Sequence, residues 1–159
     1  MTRKEQYNQL ILQIAGLIKD ETNLVGILAN VSAALHDTFP ERFFWVGFYL
    51  QENGNMLRLG PFQGSVACYV IPFGKGVCGK AWEEERTLIV PDVEKFPGHI
   101  ACSSLSRSEI VVPMYDDSHT FRGVLDIDST QLNDFNEDDK EGLERIIELL
   151  MAETHDLFQ

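Results

Sequence analysis

Near the N-terminus, apolar residues recur at three- and four-residue steps, the spacing that places side chains on one face of a helix. The first set comprises Leu10, Ile11, Ile14, Leu17 and Ile18, and the second comprises Leu24, Ile27, Leu28, Val31 and Leu35. Residues 20–23 separate the two sets, and Pro40 limits the second because proline disfavours helix in the residue before it. The pattern predicts two amphipathic helices, which we interpret as packing elements.

The middle of the chain changes to short runs of branched and aromatic residues, which favour strands. RFFWVGFYL, at residues 42–50, predicts a central strand, and the pair Asn53-Gly54 after it predicts a hairpin turn. The other predicted strands are residues 56–62, 66–73, 87–90, 110–115 and 121–127. Because short links join most of these runs, we expect a mostly antiparallel sheet.

Helical and irregular segments fill the remainder. A short helix is predicted at residues 77–85 after a glycine-rich turn, and residues 91–106, with two prolines, predict a long loop containing a helical turn. Asn136 is a candidate N-cap for the last helix. The apolar face of that helix comprises Leu143, Ile146, Ile147, Leu150 and Leu157. Together these elements predict an α+β fold, with residues 1–159 forming one domain.

Composition narrows the possible partners and the compartment. A chain of 159 residues that is 44% hydrophobic can bury a substantial core. Its formal charge of −12 disfavours binding to nucleic acid or to an anionic membrane. Charged residues interrupt the apolar positions of the N-terminus, so no signal peptide or membrane span is predicted. We therefore expect a cytoplasmic protein.

The three cysteines allow three interpretations. Cys68, Cys78, His99 and Cys102 could bind zinc, but structural zinc sites usually include a closely spaced cysteine pair, which is missing here, so we predict no metal. The thiols could instead be buried core residues, an interpretation that suits Cys78 best. Cys102 lies in a polar loop near His99 and Arg107, where a thiolate could be stabilised, and it is our candidate nucleophile.

Acidic and aromatic residues at strand positions form a second candidate group. Glu109 opens one strand, and Asp126 and Asp128 close another, where their two-residue spacing places them on the same sheet face. These carboxylates could cap loops, or they could hold an ammonium group or supply a proton beside a thiol. Trp45 and Tyr49 also share a face, and they could pack in the core or form an aromatic wall around a small ligand.

Seven short motifs carry a resemblance that covers essentially the whole chain. They are WVGFYL, GPFQG, VAC, GKGVCGKAW, FPGHIAC, SEIVVP and GVLDIDS. In this order and spacing they closely resemble the free methionine-(R)-sulfoxide reductases. The resemblance implies a GAF-type fold, with a six-stranded antiparallel sheet and helices on its faces. It also implies reduction of the R epimer of free methionine sulfoxide.

The same resemblance assigns roles to the candidate residues. It makes Cys102 the nucleophile, Cys68 the resolving thiol and Cys78 an auxiliary thiol. The acidic pocket residues that it implies are Glu109, Asp126 and Asp128, and the aromatic wall is Trp45 and Tyr49. Where the family commonly has an Asp after the catalytic Cys, this chain has Ser103.

The resemblance further implies an enzyme with no bound redox cofactor. Thioredoxin would reduce the disulfide that forms after each turnover, and NADPH would supply electrons through thioredoxin reductase. The rival interpretation from the GAF fold is a ligand-binding or redox-sensor domain without turnover. A homodimer remains an open alternative.

Overall fold

The computed structural model describes residues 1–158, which form a sheet with helices on both faces. In chain order the main elements are α1 (Arg3–Ile18), α2 (Leu24–Thr38), β1 (Trp45–Glu52), β2 (Met56–Gln63), β3 (Val70–Pro72), α3 (Gly76–Glu84), β4 (Leu88–Val90), β5 (Ser108–Tyr115), β6 (Phe121–Ser129) and α4 (Glu137–Thr154). Short 3₁₀ turns lie at Val93–Lys95 and His155–Leu157.

The six strands form one sheet in the order β3-β2-β1-β6-β5-β4, and every neighbouring pair is antiparallel. The predicted α+β class and antiparallel sheet are therefore confirmed. β1 lies inside the sheet, as the apolar run at residues 42–50 predicts, and the turn at Asn53-Gly54 links it to β2.

Side chains cap the starts of the two N-terminal helices, which contain the apolar positions that the sequence predicts. Thr2 and Glu5 form a reciprocal capping box at α1, and Asn23 accepts from the main-chain N–H of Gly26 at α2. Leu17 does not join the buried face of α1 and is 41% exposed. Tyr7 is buried on this helix instead, and its hydroxyl donates to Asp139 at 2.6 Å.

The two sheet faces bury different clusters, since side chains alternate along each strand. On one face, residues such as Phe48, Ile110 and Leu125 pack beneath α1, α2 and α4 in the larger cluster. On the opposite face, Trp45 and Val111 pack with α3 and the connecting segments. The candidate residues of the sequence lie on this second face.

The predicted strand at residues 66–73 is wrong in length. Only Val70–Pro72 pairs with β2, so Cys68 lies in an irregular segment rather than in a strand. Gly64 turns the chain out of the sheet with φ of +141°, and a Cβ at this position would lie 2.6 Å from Trp45 Cδ1. Glycine is thus required where the chain departs toward Cys68. Within residues 1–158, no helix has the length and apolar character needed to cross a bilayer.

Candidate active site

The strand register places three of the candidate residues in one row. Trp45 on β1 is opposite Asp128 on β6, and Asp128 is opposite Glu109 on β5. Asp126 lies two residues before Asp128 and therefore on the same face. These four side chains line one cavity on the α3 side of the sheet.

Two segments cover this cavity from above. The first turn of α3 contributes Gly76, Val77 and Cys78. The loop after Val93–Lys95 contributes four lining residues, which are His99, Ile100, Cys102 and Ser103. Gly76 has φ of +61°, and a Cβ there would lie 3.2 Å from the side chain of Ile100. Glycine therefore allows the start of α3 to approach the loop closely. The cavity volume is about 40 Å³, enough for a few water molecules.

A disulfide joins Cys68 and Cys102 at the edge of this cavity. Their Cα atoms are 5.4 Å apart, within the usual range for a disulfide. Both residues are half-buried, and Cys102 lines the cavity. In the disulfide form, Cys68, Cys78, His99 and Cys102 cannot form a four-ligand zinc site, because the sulfur atoms of Cys68 and Cys102 are bonded to each other.

Cys78 differs from the other two cysteines because it is free and only 2% exposed. Burial raises the pKa of its thiol well above the ordinary value, and the negative charge of Asp126 raises it further. The thiol therefore stays protonated at neutral pH and is a poor nucleophile.

Burial also changes the ionisation of the three carboxyl groups. It raises the pKa of Glu109 and of Asp128 well above their ordinary values, and the charge of Asp126 raises both further. Burial raises the pKa of Asp126 as well, but hydrogen bonds from Glu109 and Cys78 oppose that change. Asp126 is thus the most readily ionised of the three, while its two neighbours retain protons that they can donate.

Cys78, Glu109 and Asp126 could also hold a metal ion in principle, because their ligand atoms lie within 4.8 Å of one another. An ion would first have to displace the proton of the buried Cys78 thiol. We therefore assign no metal to this cluster of the described residues.

Tyr49, like Cys68, is a candidate site residue that does not line the cavity. It is 2% exposed, and its ring stacks on Trp45 with 5.9 Å between ring centroids. Its hydroxyl donates to the main-chain carbonyl of Cys68 at 2.9 Å. The sequence suggests an aromatic wall formed by both rings, whereas the structure places only Trp45 against the cavity.

Sequence reasoning did not select several residues that line the cavity. They include Val66, Ile71, Val77, Ile100 and Ser106. Their apolar or small side chains resemble ordinary packing residues, so residue type gave no functional signal. Val66, Val77 and Ile100 do belong to the VAC, GKGVCGKAW and FPGHIAC motifs, which was the available clue.

The sequence matches the GAF domain family over residues 21–152. The chain belongs to the GAF domain family. Two relatives extend this match along almost the whole chain. GAF domain-containing protein A of Dictyostelium discoideum is 57% identical across 94% of this chain and 92% of its own length. The free methionine-R-sulfoxide reductase of Saccharomyces cerevisiae is 43% identical across 94% of this chain and 86% of its own length.

The fold of this GAF domain is also similar to that of a solved structure. The free methionine-R-sulfoxide reductase of Neisseria meningitidis, solved in complex with its substrate, superposes with a TM-score of 0.93 at 46% identity. The match covers 98% of this chain and 92% of that one. The resemblance to free methionine-(R)-sulfoxide reductases that the motifs indicated is confirmed.

The buried carboxyl groups predict that Glu109→Gln stabilises the GAF domain at alkaline pH. Glu109 has a folded-state pKa raised above its ordinary value of 4.5. Between pH 4.5 and this raised pKa, the folded chain therefore binds more protons at Glu109 than the unfolded chain does. The free energy of unfolding therefore falls as the pH rises through the raised pKa. Glutamine removes this loss, and at pH 8 we expect a gain of about 1–2 kcal/mol, or ~2–8 °C in the melting temperature.

Thermal unfolding at pH 4.5 and pH 8 measures this effect. The gain should be largest at pH 8 and should shrink toward pH 4.5, where the carboxyl group stays protonated in the folded state and is only half ionised in the unfolded state. Glu141→Gln, at an exposed position of α4, is the matched control and should change little at either pH. An equal gain at both pH values would show that ionisation of Glu109 does not cause the effect.

Proposed function

We propose that this GAF domain reduces free methionine-(R)-sulfoxide to methionine, with Cys102 as nucleophile, Cys68 as resolving thiol and thioredoxin as the reductant. One observation carries the proposal: the Cys68–Cys102 disulfide borders a cavity lined by three carboxyl groups with raised pKa values. A thiol able to cycle through a disulfide and a proton donor are the two groups that sulfoxide reduction requires.

In the first step, the Cys102 thiolate attacks the sulfoxide sulfur while a protonated carboxyl group donates to the sulfoxide oxygen. This attack forms a transient bond between the two sulfur atoms, and the protonated oxygen then passes from the substrate sulfur to the Cys102 sulfur. The substrate sulfur–oxygen bond and the transient sulfur–sulfur bond both break, methionine leaves, and Cys102 becomes a sulfenic acid. Glu109 and Asp128 are the candidate donors, because their pKa values are raised most strongly. Either could accept a proton from solvent before the next turnover.

In the second step, Cys68 attacks the sulfenic acid sulfur of Cys102, the disulfide forms, and the oxygen leaves as water. The structure has the bond that this step would produce. A cavity of about 40 Å³ is far smaller than the ~300 Å³ or more typical of a ligand site. The disulfide form would thus be the state after turnover, and its reduction would release Cys102 and reopen the cavity.

The cavity offers complementary groups for both charges of a free amino acid. Asp126, the most readily ionised carboxyl group, could pair with the substrate ammonium. The first turn of α3 borders the same cavity and has no side-chain cap, so its N–H groups and positive dipole end could hold the substrate carboxylate. A peptide-bound sulfoxide lacks both charges.

The position of the disulfide is compatible with reduction by thioredoxin. Both of its cysteines are half-buried rather than enclosed, and the exposed apolar side chains of Val66 and Leu105 lie within three residues of them along the chain. A dithiol protein could attack one sulfur by thiol exchange and leave with the disulfide.

A selectivity assay tests the proposed function. Free (R)-sulfoxide, free (S)-sulfoxide and N-acetylated, C-amidated methionine sulfoxide are each incubated with the protein, thioredoxin, thioredoxin reductase and NADPH. We expect NADPH oxidation over many turnovers with the free R epimer, and rates at least about 100-fold lower with the other two, since each loses charged or stereospecific contacts.

The same assay separates catalysis from sensing. Oxidation of only one NADPH per protein chain would favour a redox sensor without turnover. Comparable reduction of the blocked sulfoxide would refute recognition of the free ammonium and carboxylate groups. If dithiothreitol supports reduction of the sulfoxide but thioredoxin does not, the proposed reductase activity stands and thioredoxin is rejected as its reductant.

A further inference from the structure

Tyr49 does not line the cavity, and its hydroxyl contacts the segment that carries Cys68. Tyr49 lies on β1 in the interior of the sheet, and its hydroxyl donates to the Cys68 carbonyl at 2.9 Å. Burial raises the pKa of Tyr49 far above its ordinary value, so the hydroxyl remains a donor throughout the working pH range. A substrate-contacting role does not explain this hydrogen bond.

The Cys68 segment has few other attachments to the sheet. Between the end of β2 and the start of β3, three hydrogen bonds reach its main-chain carbonyls within the described part of the chain. The Trp45 indole donates to Ser65 at 3.0 Å, and the Leu59 main chain donates to Tyr69 at 3.0 Å. The third bond, from Tyr49, is the one made to the cysteine itself.

We infer that Tyr49 is a positioning residue for the resolving step: its hydrogen bond to the Cys68 carbonyl holds the Cys68 thiol within reach of the Cys102 sulfenic acid. This inference rests on the proposed function and deepens it. In the resolving step a Cys68–Cys102 sulfur–sulfur bond forms, the sulfenic sulfur–oxygen bond breaks, and the oxygen leaves as water. The rate of such a reaction depends on how often the two sulfur atoms are close and aligned.

The variant that isolates this role is Tyr49→Phe. It keeps the ring that stacks on Trp45 and removes only the hydroxyl. The first methionine should be released at a rate within about twofold of wild type, because the hydroxyl does not line the cavity. Formation of the Cys68–Cys102 disulfide should be about tenfold slower, as expected for loss of a buried hydrogen bond.

Tyr69→Phe is the matched control. Tyr69 directly follows Cys68, but its side chain is 77% exposed, so removing its hydroxyl should change neither step. Rapid quenching at successive times after mixing with free (R)-sulfoxide gives released methionine and disulfide in one experiment. A sulfenic acid trap such as dimedone should label Tyr49→Phe more heavily than Tyr69→Phe, because the intermediate persists longer.

A second arm uses hydrogen peroxide, which oxidises a thiolate to a sulfenic acid without any sulfoxide. The same tenfold delay in disulfide formation is expected there, which tests Tyr49 even if the sulfoxide is not a substrate. Disulfide formation at the wild-type rate in both arms would overturn the inference. A raised KM with normal disulfide formation would instead make Tyr49 a substrate-binding residue, as the sequence resemblance implies.

Discussion

Cys102→Ser should abolish methionine release even in a single turnover, by a factor on the order of 10³ or more. A serine hydroxyl is far less nucleophilic than a thiolate and cannot form a sulfenic acid. The measurement is methionine released per enzyme after mixing the pre-reduced protein with free (R)-sulfoxide. Full turnover by this variant would reject the mechanism.

The other two thiols serve as internal comparisons. Cys68→Ser should still release about one methionine per enzyme and then stall with thioredoxin, because the first step precedes disulfide formation. Cys78→Ser should show the smallest loss of activity, since its buried thiol is protonated and forms no disulfide with Cys68 or Cys102. A dominant Cys78–Cys102 bridge in the oxidised wild type would overturn the choice of Cys68 as resolving thiol.

Replacing the proton-donating carboxyl group of the cluster should have the second large effect on methionine formation. Glu109→Gln and Asp128→Asn keep side-chain shape but remove the acid, so we expect the kcat of the methionine-forming step to fall by about 10²- to 10⁴-fold for the residue that donates. Asp126→Asn removes the most readily ionised group and should mainly raise KM, because it weakens ammonium binding in substrate and transition state alike.

Single-turnover rates at increasing sulfoxide concentration separate these two outcomes. Glu94→Gln, an exposed carboxyl group near the same loop, controls for a general loss of negative charge and should leave both constants unchanged. Near-normal kinetics in all three cluster variants would return these carboxyl groups to a structural role and would leave the sulfoxide oxygen without its proposed donor.

Much of the architecture could be predicted from the sequence because it depends on local patterns. Three- and four-residue periodicity identified α1 and α2, the Asn53-Gly54 pair identified the β1–β2 turn, and Asn136 was found as the N-cap of α4. In each case the determining residues lie within one turn or one strand of the feature that they determine.

The site was less predictable because long-range contacts build it. The two-residue spacing of Asp126 and Asp128 predicted a shared face, but the register that places Glu109 opposite Asp128 belongs to two strands. Cys68 was expected in a strand, although its segment leaves the sheet to reach Cys102, which is 34 residues away. The hydrogen bond from Tyr49 to Cys68 also depends on this departure.

The role of Cys102 as the group that takes the sulfoxide oxygen is tested most directly by locating the sulfenic acid. Pre-reduced Cys68→Ser is mixed with free (R)-sulfoxide and dimedone, digested, and analysed by mass spectrometry, while released methionine is counted. We expect about one dimedone adduct per chain, on the peptide containing Cys102, and an equal amount of methionine. Methionine release with an unmodified Cys102, or with the adduct on Cys78, would contradict the mechanism.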